Sequence, residues 1–346
     1  MKMDYREHER LKSINLIHDT NLFDEAKSGR IIKYKGKDYP KDEILLDGII
    51  NIYKPIRNDV LAYFVRNNIS FWHRGSEPRC KPTGHTLSSQ VCCINHLFPI
   101  RHDEKTVLSI AKLFCPGIKK IFLVPADKYS PGYIQFESVT DKDYLNELQT
   151  SRGNNCTSID ALMYGEHDNW KKYIIPIEWK YTEFYDNTDK SIEDRKGEAK
   201  GTEGKGKERL QRYSDLINKS QYLNALPEYR GSVYFFEPFY QLMRQTLWAE
   251  QMIKHNNTET IQADDYMHIH IIPSRNEKLL KLKKKYKKSG KNMEDTWRDC
   301  LKHTEKYKII DPKDLIKILN HQKYGDLIKY LNERYWNNGE YPYIVS

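Results

Sequence analysis

Apolar residues recur at helical spacing in four parts of the chain, and each part predicts a helix. The clearest is residues 237–253, whose apolar face consists of Phe239, Leu242, Met243, Leu247 and Met252. Residues 86–98 predict a second helix, with serine and threonine near its start that can cap it. Residues 104–114 predict a third, which Pro116-Gly117 ends, and residues 61–65 predict a short fourth.

Five shorter runs are rich in apolar, β-branched and aromatic residues, as is typical of strands. They span residues 133–137, 158–164, 173–181, 232–235 and 266–273. The overall order is two helices, three strands, a polar insertion, a helix, a strand, a helix, a strand and further helices. This order predicts an α/β fold with a mixed central sheet flanked by helices.

Two polar segments divide the chain further. Residues 186–208 contain almost no apolar side chains, which predicts a mobile insertion before a helix resumes at 210–217. From Glu277 the chain is mostly helical and basic, with a lysine-rich run at 278–288. We therefore expect an N-terminal extension (1–85), a core (86–275) that carries the insertion, and a basic helical region (276–346). Helical additions then decorate the core at both ends.

Composition suggests the kind of partner. The 346 residues are 38% hydrophobic with a mean hydropathy of −0.81, which is polar for a globular protein. Lys and Arg number 57 against 48 Asp and Glu, a net charge of +9 that favours polyanionic partners through counterion release. No stretch approaches the ~20 apolar residues of a membrane span, so no membrane contact is expected.

The cysteines favour free thiols in a reducing cytoplasm, because they include no CxxC pair. The six are Cys80, Cys92, Cys93, Cys115, Cys156 and Cys300. Together with His73, His85 and His96, three of them crowd one region where zinc would find four ligands. Their spacing matches no regular zinc pattern, so ordinary packing is the favoured interpretation.

The strand at 173–181 carries the strongest chemical signal. Its period-two geometry places Glu178 and Lys180 on one face and Ile175, Ile177 and Trp179 on the other. Burial of a charge costs several kcal/mol unless the charge is paired or bound to a metal. A carboxylate and an ammonium that interrupt an apolar strand therefore indicate a functional site, and the alternative is a salt bridge on an edge strand.

Asp160 repeats this pattern on the preceding strand. It alternates with Ile159, Ala161 and Met163 and lies 18 residues before Glu178. If the two strands pair, both carboxylates converge on one ion, and Mg²⁺ prefers such a site because waters and phosphate oxygens complete its coordination. Lys180 is then placed to orient or deprotonate the attacking water, or to steady developing charge.

These residues resemble the PD-(D/E)XK nuclease superfamily, which includes many restriction endonucleases. The matching runs are Ser158-Ile159-Asp160-Ala161 and Ile177-Glu178-Trp179-Lys180. The order of the family's core elements, helix, three strands, helix and strand, can be laid over residues 86–273. The resemblance implies a restriction-endonuclease-like fold.

By this resemblance, Asp160 and Glu178 bind Mg²⁺, for which Mn²⁺ is expected to substitute, and Lys180 is the catalytic lysine. Two positions depart from the family pattern. Ile159 stands where a proline often precedes the aspartate. Gln90 stands on the first helix, where many members carry a glutamate, and its amide is expected to hold a water or orient a ligand.

The acid-x-Lys pattern alone is weak evidence, because it recurs in this chain. Further examples are Glu25-Ala26-Lys27, Asp103-Glu104-Lys105, Asp194-Arg195-Lys196, Glu198-Ala199-Lys200, Glu203-Gly204-Lys205 and Asp311-Pro312-Lys313. None of these lies in an apolar alternating strand, and none follows a strand-borne aspartate at hairpin distance. The context of Glu178 and Lys180 is what distinguishes them.

Other polar residues are weaker candidates. Glu137 ends the first strand and would approach the metal from the side. His268 and His270 share a strand face and suit metal binding or acid–base work, although most such pairs are hydrogen-bonded in a sheet. Arg209 and Arg212 follow the insertion at helical spacing and suit phosphate binding, with a solvated face as the alternative.

We therefore expect a metal-dependent endonuclease that hydrolyses DNA phosphodiester bonds, of a restriction or defence type by family analogy. Cleavage of both strands would favour a two-fold homodimer. The first alternative is a non-catalytic nucleic-acid-binding protein with a nuclease-like fold. The second is an enzyme acting on a small phosphorylated substrate, which the absence of a Gly-rich phosphate loop disfavours.

Overall fold

The computed structural model describes residues 3–23, 29–34, 37–72, 80–125, 130–148, 156–281 and 290–336, and all their side chains except those of 29–34 and 37–40. The helices are α1 Tyr5–Asp19, α2 Arg57–Arg66, α3 Ser89–Leu97, α4 Glu104–Phe114, α5 Gly204–Lys219, α6 Phe239–Lys254, α7 Glu277–Leu280, α8 Met293–Arg298, α9 Pro312–Ile316 and α10 His321–Leu331. The strands are β1 Gly29–Tyr34, β2 Lys37–Leu45, β3 Ile118–Phe122, β4 Ile134–Ser138, β5 Ile159–His167, β6 Lys172–Trp179, β7 Asp265–Tyr266, β8 His268–Ile271 and β9 Tyr307–Ile310.

The main sheet is mixed and is built around an antiparallel pair, β5 and β6. Strand β5 pairs on one side with two strands placed end to end: β4 pairs with its first half and β3 with its second half. Strand β6 pairs on its other side with β7 and β8, which both run parallel to it, and β9 runs parallel to β8. Pro176 has no N–H to donate, and it lies in β6 between the residues that pair with β7 and those that pair with β8.

Each face of the sheet packs on helices. Ile175, Ile177 and Trp179 share one core with α2, α3, α4 and α10. Leu162 and Ile174 share the other with α5 and α6. The predicted division of β6 into an apolar face and a face with Glu178 and Lys180 is confirmed, since the charged pair lies on the α6 side. The expected mixed sheet flanked by helices is also observed.

The long predicted helices are present, with small shifts at their ends. Ser88 caps α3 by accepting a hydrogen bond from the Val91 N–H, and Asp103 caps α4 through the Thr106 N–H. The short helix at 61–65 extends to Arg57–Arg66 as α2, and the helix at 237–253 is α6. The basic run at 278–288 lies only partly within the described residues. Its described part includes most of α7.

Several expectations were wrong. Residues 233–235 form a 3₁₀ helix rather than a strand. Neither β3 nor the β1–β2 hairpin was predicted, so the N-terminal addition is not only helical. The C-terminal region is not only helical either, because Tyr307–Ile310 forms β9 and extends the main sheet. Within the described residues, no helix is long and apolar enough to cross a membrane.

Candidate active site

A row of carboxylates crosses the sheet where β4, β5 and β6 lie side by side. The register pairs Phe136 with Ala161 and Ala161 with Ile177. One residue further along, Glu137, Asp160 and Glu178 become cross-strand neighbours. The Asp160 Oδ2 accepts a hydrogen bond of 2.8 Å from the Trp179 N–H, which ties this carboxylate to β6. The predicted convergence of Asp160 and Glu178 is therefore what the pairing of the two strands produces.

The row opens onto a cavity of about 420 Å³. Its lining includes all four residues expected from the sequence, Gln90, Asp160, Glu178 and Lys180. Residues from α1, α3 and α6 complete the walls, among them Arg6, Ser89 and Gln241. The elements that surround the sheet thus enclose the carboxylates on several sides while leaving them open to a ligand.

Asp160 lies in an environment that opposes its negative charge. Burial raises the pKa of Asp160 well above its usual value, and the nearby carboxylates of Glu178 and Glu137 raise it further. The Lys180 ammonium and the Trp179 N–H lower it but do not compensate. Carboxylates that crowd together in this way repel one another unless a cation lies between them.

Lys180 is 4% exposed and is held by three groups. Its Nζ pairs with the Glu178 Oε1, donates to the Gln241 Oε1 at 2.7 Å and lies 5.6 Å from the centre of the Tyr185 ring. Burial alone would lower the pKa of Lys180, but the neighbouring acidic groups, Glu178 first and then Tyr185, Glu183 and Asp160, together outweigh burial and hold the pKa well above its usual value. Lys180 is therefore an ammonium at neutral pH.

Glu178 is fixed by a buried chain of side chains that the sequence did not predict. Gln245 on α6 donates through Nε2 to the Glu178 Oε2, and its own Oε1 is 2.9 Å from the His268 Nε2. Because that oxygen is an acceptor, the His268 Nε2 must carry the proton. Gln241 and Gln245 are one helical turn apart on α6 and are not among the residues of its predicted apolar face, so no local signal in the sequence marked them.

Gln90 acts on Glu137 in the structure. Its Nε2 donates to the Glu137 Oε1 at 2.7 Å, and its Oε1 accepts from the Trp72 N–H at 3.0 Å. Ser158 donates to the other oxygen of Glu137 at 2.8 Å. The backbone of Glu137 has a φ of 51°, which is uncommon for a residue other than glycine. Gln90 and Ser158 therefore hold Glu137 at the end of the carboxylate row.

The row suits a magnesium ion better than a zinc ion. Mg²⁺ is commonly held by one or two carboxylates, with water and phosphate oxygens at its other positions. Asp160 and Glu178 supply two carboxylates, and their mutual repulsion is what a divalent cation would relieve. Within the described ranges, no group of three or more His, Cys, Asp and Glu side chains is arranged to hold a metal by itself.

Among the residues that the structure describes, the other candidates do not form a second centre. His73 lies outside the described residues, Cys80 is exposed, and Cys92 and Cys93 are buried in α3. His96 packs against Trp179, and its ring nitrogens bond to the Cys92 carbonyl and the Trp336 Nε1–H. His268 is hydrogen-bonded to Gln245 at the edge of the site, and His270 bonds to the Tyr307 hydroxyl. Burial lowers the pKa of His268 to about 4, so it is neutral.

Comparisons with known proteins place the chain in one family. No curated protein matches it, and no solved structure does. The family described as "Restriction Endonuclease associating with ARP" matches residues 18–336, a span that contains the carboxylate row, Lys180, Gln241 and Gln245. The chain therefore belongs to the REase-ARP family of restriction-endonuclease-associated proteins.

Proposed function

We propose that this chain is a Mg²⁺-dependent endonuclease that hydrolyses phosphodiester bonds in DNA as part of a restriction or related defence system. One observation carries the proposal. The pairing of β5 with β6 brings Asp160 and Glu178 together at a cavity, with the Lys180 ammonium against Glu178. The two carboxylates and the lysine alternate with apolar residues along their strands. This arrangement supports the resemblance to PD-(D/E)XK nucleases.

Asp160 and Glu178 would hold the metal, and Glu137 lies next to Asp160 on the neighbouring strand β4. When bound, Mg²⁺, or Mn²⁺ in its place, lowers the pKa of water and stabilises negative charge on the phosphate. The protein's own groups fix the carboxylates in advance: the Trp179 N–H orients Asp160, and Gln245 orients Glu178. Preorganised ligands of this kind spare the reaction the cost of arranging them.

Lys180 acts as a source of positive charge rather than as a base. Because its pKa is held above the usual value, it carries a proton at neutral pH and donates hydrogen bonds. The Gln241 carbonyl oxygen limits its movement. We infer that Lys180 orients the attacking water and stabilises charge that develops on the phosphate oxygens.

Two observations support DNA as the substrate: the family description, which names a restriction endonuclease, and the positive net charge of the chain. The element order α3, β4, β5, β6, α6 and β8 supports a restriction-endonuclease-like core. Because one active site cuts one strand, we further propose a two-fold homodimer for double-strand cleavage.

The test is incubation of supercoiled plasmid with the protein and Mg²⁺, beside an EDTA control and two variants. Lys180→Ala removes the ammonium from the site. Lys171→Ala removes an exposed lysine next to the start of the same strand and serves as the matched control. Cleavage by the wild type and by Lys171→Ala, with loss in Lys180→Ala and in EDTA, is the expected result.

Plasmid that stays intact with Mg²⁺ and Mn²⁺, together with genomic DNA that also stays intact, would contradict the proposal. The genomic substrate is included because it offers far more sequences than one plasmid. DNA binding without cleavage, unaffected by Lys180→Ala, would instead support the non-catalytic nucleic-acid-binding protein.

A further inference from the structure

A second cavity, of about 1100 Å³, adjoins the carboxylate row. Trp72, Ser158, Asp160, Glu178 and Gln241 line both cavities, so the two spaces meet at the candidate metal ligands. The volume of the second exceeds the roughly 300–1,000 Å³ that is usual for small-molecule pockets. Its volume and its position suit a long ligand that passes over the row.

One wall of this cavity is cationic. It consists of Lys190, Lys205, Arg209, Arg212 and Arg244, which we call the cationic wall. Apart from Asp160 and Glu178, the carboxylates that line the cavity are Glu147, Glu208 and Glu237. Each of the five cations is in an ion pair with a carboxylate, and Lys205 and Arg209 share Glu193. Five cations thus meet four carboxylates beside the row, which leaves one positive charge in excess.

The inner part of the wall is gathered around one aromatic ring, that of Tyr240. Lys190, Arg209 and Arg244 lie 5.5, 5.5 and 5.3 Å from the centre of the Tyr240 ring, which holds three cations close together. Arg244 also donates to Glu147 at 2.8 Å. Positive charges concentrated in this way around one aromatic ring are favourable for an anion that arrives with negative charge spread over several oxygens.

The outer part of the wall is more accessible. The side chains of Arg212 and Lys205 are 21% and 47% exposed. Arg212 pairs with Glu208 one turn earlier on α5, a partner on the same helix that a phosphate can replace at small cost. Trp72, 54% exposed, adds an aromatic surface where the two cavities meet.

We propose that the cationic wall binds the sugar–phosphate backbone of the DNA strand that flanks the cleaved bond, an inference that rests on the proposed function. The wall supplies charge and guanidinium donors, which position a backbone without selecting its sequence. A strand fits better than a mononucleotide because the cavity is continuous with the site at which a phosphodiester would be hydrolysed.

The experiment measures the binding of a fluorescent DNA duplex by anisotropy, in EDTA so that hydrolysis plays no part. Arg212→Gln removes one charge from the wall. Lys219→Gln is the matched control, because Lys219 lies on the same helix, is 80% exposed, and also faces a carboxylate at i−4, Asp215. Each affinity is measured over a range of salt concentrations, and unlabelled duplex and a nucleoside monophosphate are added as competitors.

We expect Arg212→Gln to weaken binding on the order of fivefold for every sequence and to reduce the salt slope by about one. Lys219→Gln should change neither quantity. Equal affinities for the two variants would overturn the inference, as would a wild type that does not bind DNA. Displacement by the monophosphate as effective as by the duplex would also overturn it, in favour of a small nucleotide ligand.

Failure of this inference is distinguishable from failure of the proposed function. Plasmid cleavage that depends on Lys180, together with equal DNA affinities of the two variants, would support the nuclease function and show that the cationic wall does not bind the substrate. Weaker DNA binding by Arg212→Gln, without cleavage by any of the proteins, would support the cationic wall as a DNA-binding site and contradict the proposed nuclease function.

Discussion

Gln245 controls how the Glu178 carboxylate is presented, because its amide can take only one orientation. The Glu178 carboxylate accepts hydrogen bonds, so the amide nitrogen must face its Oε2; the amide oxygen then faces β8, where the His268 Nε2 donates to it. All three side chains are buried. In a buried chain of this kind, loss of one partner leaves the next without a hydrogen bond, at a cost of about 1–3 kcal/mol.

We predict that Gln245→Leu raises the Mg²⁺ concentration needed for half-maximal cleavage, or lowers the rate, by about 10- to 100-fold, as is usual when a group behind a metal ligand is removed. Gln251→Leu on the same helix is the control, since Gln251 does not line either cavity. Cleavage rates are measured across Mg²⁺ concentrations. The same Mg²⁺ dependence in both variants would show that Gln245 does not position Glu178.

At the scale of residues, the sequence predicted the strand-borne part of the candidate site and missed the helix-borne part. Asp160, Glu178 and Lys180 could be found because charges stand out in an alternating apolar strand. Gln241 and Gln245 are neutral, and they approach Glu178 and Lys180 from more than sixty positions away along the chain. Gln90 was expected near the metal ligands, and the structure shows it bonded to Glu137.

At the scale of elements, segments with strong periodicity were predicted and those defined by tertiary pairing were not. β9 has only four residues and is a strand because it pairs with β8, a long-range contact that local pattern does not reveal. β3 was missed for the same reason, since its polar Lys119 and Lys120 conceal its pairing with β5. Residues 232–235 have strand-forming side chains, but they form a 3₁₀ turn that leads into α6.

The segment expected to be a mobile insertion lies against α5 at a close backbone contact. Arg209 on α5 bonds to the Lys190 carbonyl at 3.0 Å and to Glu193 at 2.7 Å. Gly206 permits the contact, because a Cβ at that position would lie 2.2 Å from the Ser191 carbonyl oxygen. Its mobility stays a prediction, but its position beside the cationic wall depends on this glycine.

We predict that Gly206→Ala lowers the free energy of unfolding by roughly 1–3 kcal/mol, because the methyl group meets backbone rather than a flexible side chain. Gly325→Ala is the control: Gly325 lies in α10 with nothing within 4 Å of an added Cβ, so alanine there should stabilise by about 0.5–1 kcal/mol. Denaturant unfolding measures both. A Gly206→Ala variant as stable as the wild type would show that the contact can shift without cost.

At the scale of the whole molecule, both ends of the described chain are tied to the core. Lys12 on α1 donates to the Tyr335 carbonyl at 2.8 Å, and Tyr181 beside the candidate site donates to Glu9 at 2.7 Å. Trp336 donates to the His96 Nε2 at 2.8 Å. The division into three regions stays a prediction, but these contacts place residues near both ends around the elements that carry the candidate site.

The contact between Trp336 and His96 predicts a pH dependence of stability. The Nδ1–H of His96 donates to the Cys92 carbonyl while Nε2 accepts from Trp336, an arrangement that only the neutral ring allows. Burial lowers the pKa of His96 from 6.5 to about 3. Below pH 6.5 the unfolded chain therefore binds a proton that the folded chain does not, and stability falls as the pH falls toward 3.

We expect the free energy of unfolding of the wild type to fall between pH 6.5 and about pH 4 by on the order of 2–3 kcal/mol more than that of His96→Gln. The glutamine variant starts less stable but lacks this titration. His321→Gln, which replaces an exposed histidine, should follow the wild type. Parallel pH profiles for the wild type and His96→Gln would show that His96 titrates normally.

The central claim is that Asp160 and Glu178 form the metal site of a nuclease, and the most direct measurement is the single-turnover cleavage of DNA by wild type and Asp160→Asn as Mg²⁺ is raised. Asparagine keeps the acceptor for the Trp179 N–H, so the fold should be retained and DNA binding in EDTA unchanged. The account predicts a saturable Mg²⁺ dependence in the wild type and a rate reduced at least about 100-fold in the variant. Equal cleavage by both proteins, with the same Mg²⁺ dependence, would contradict it.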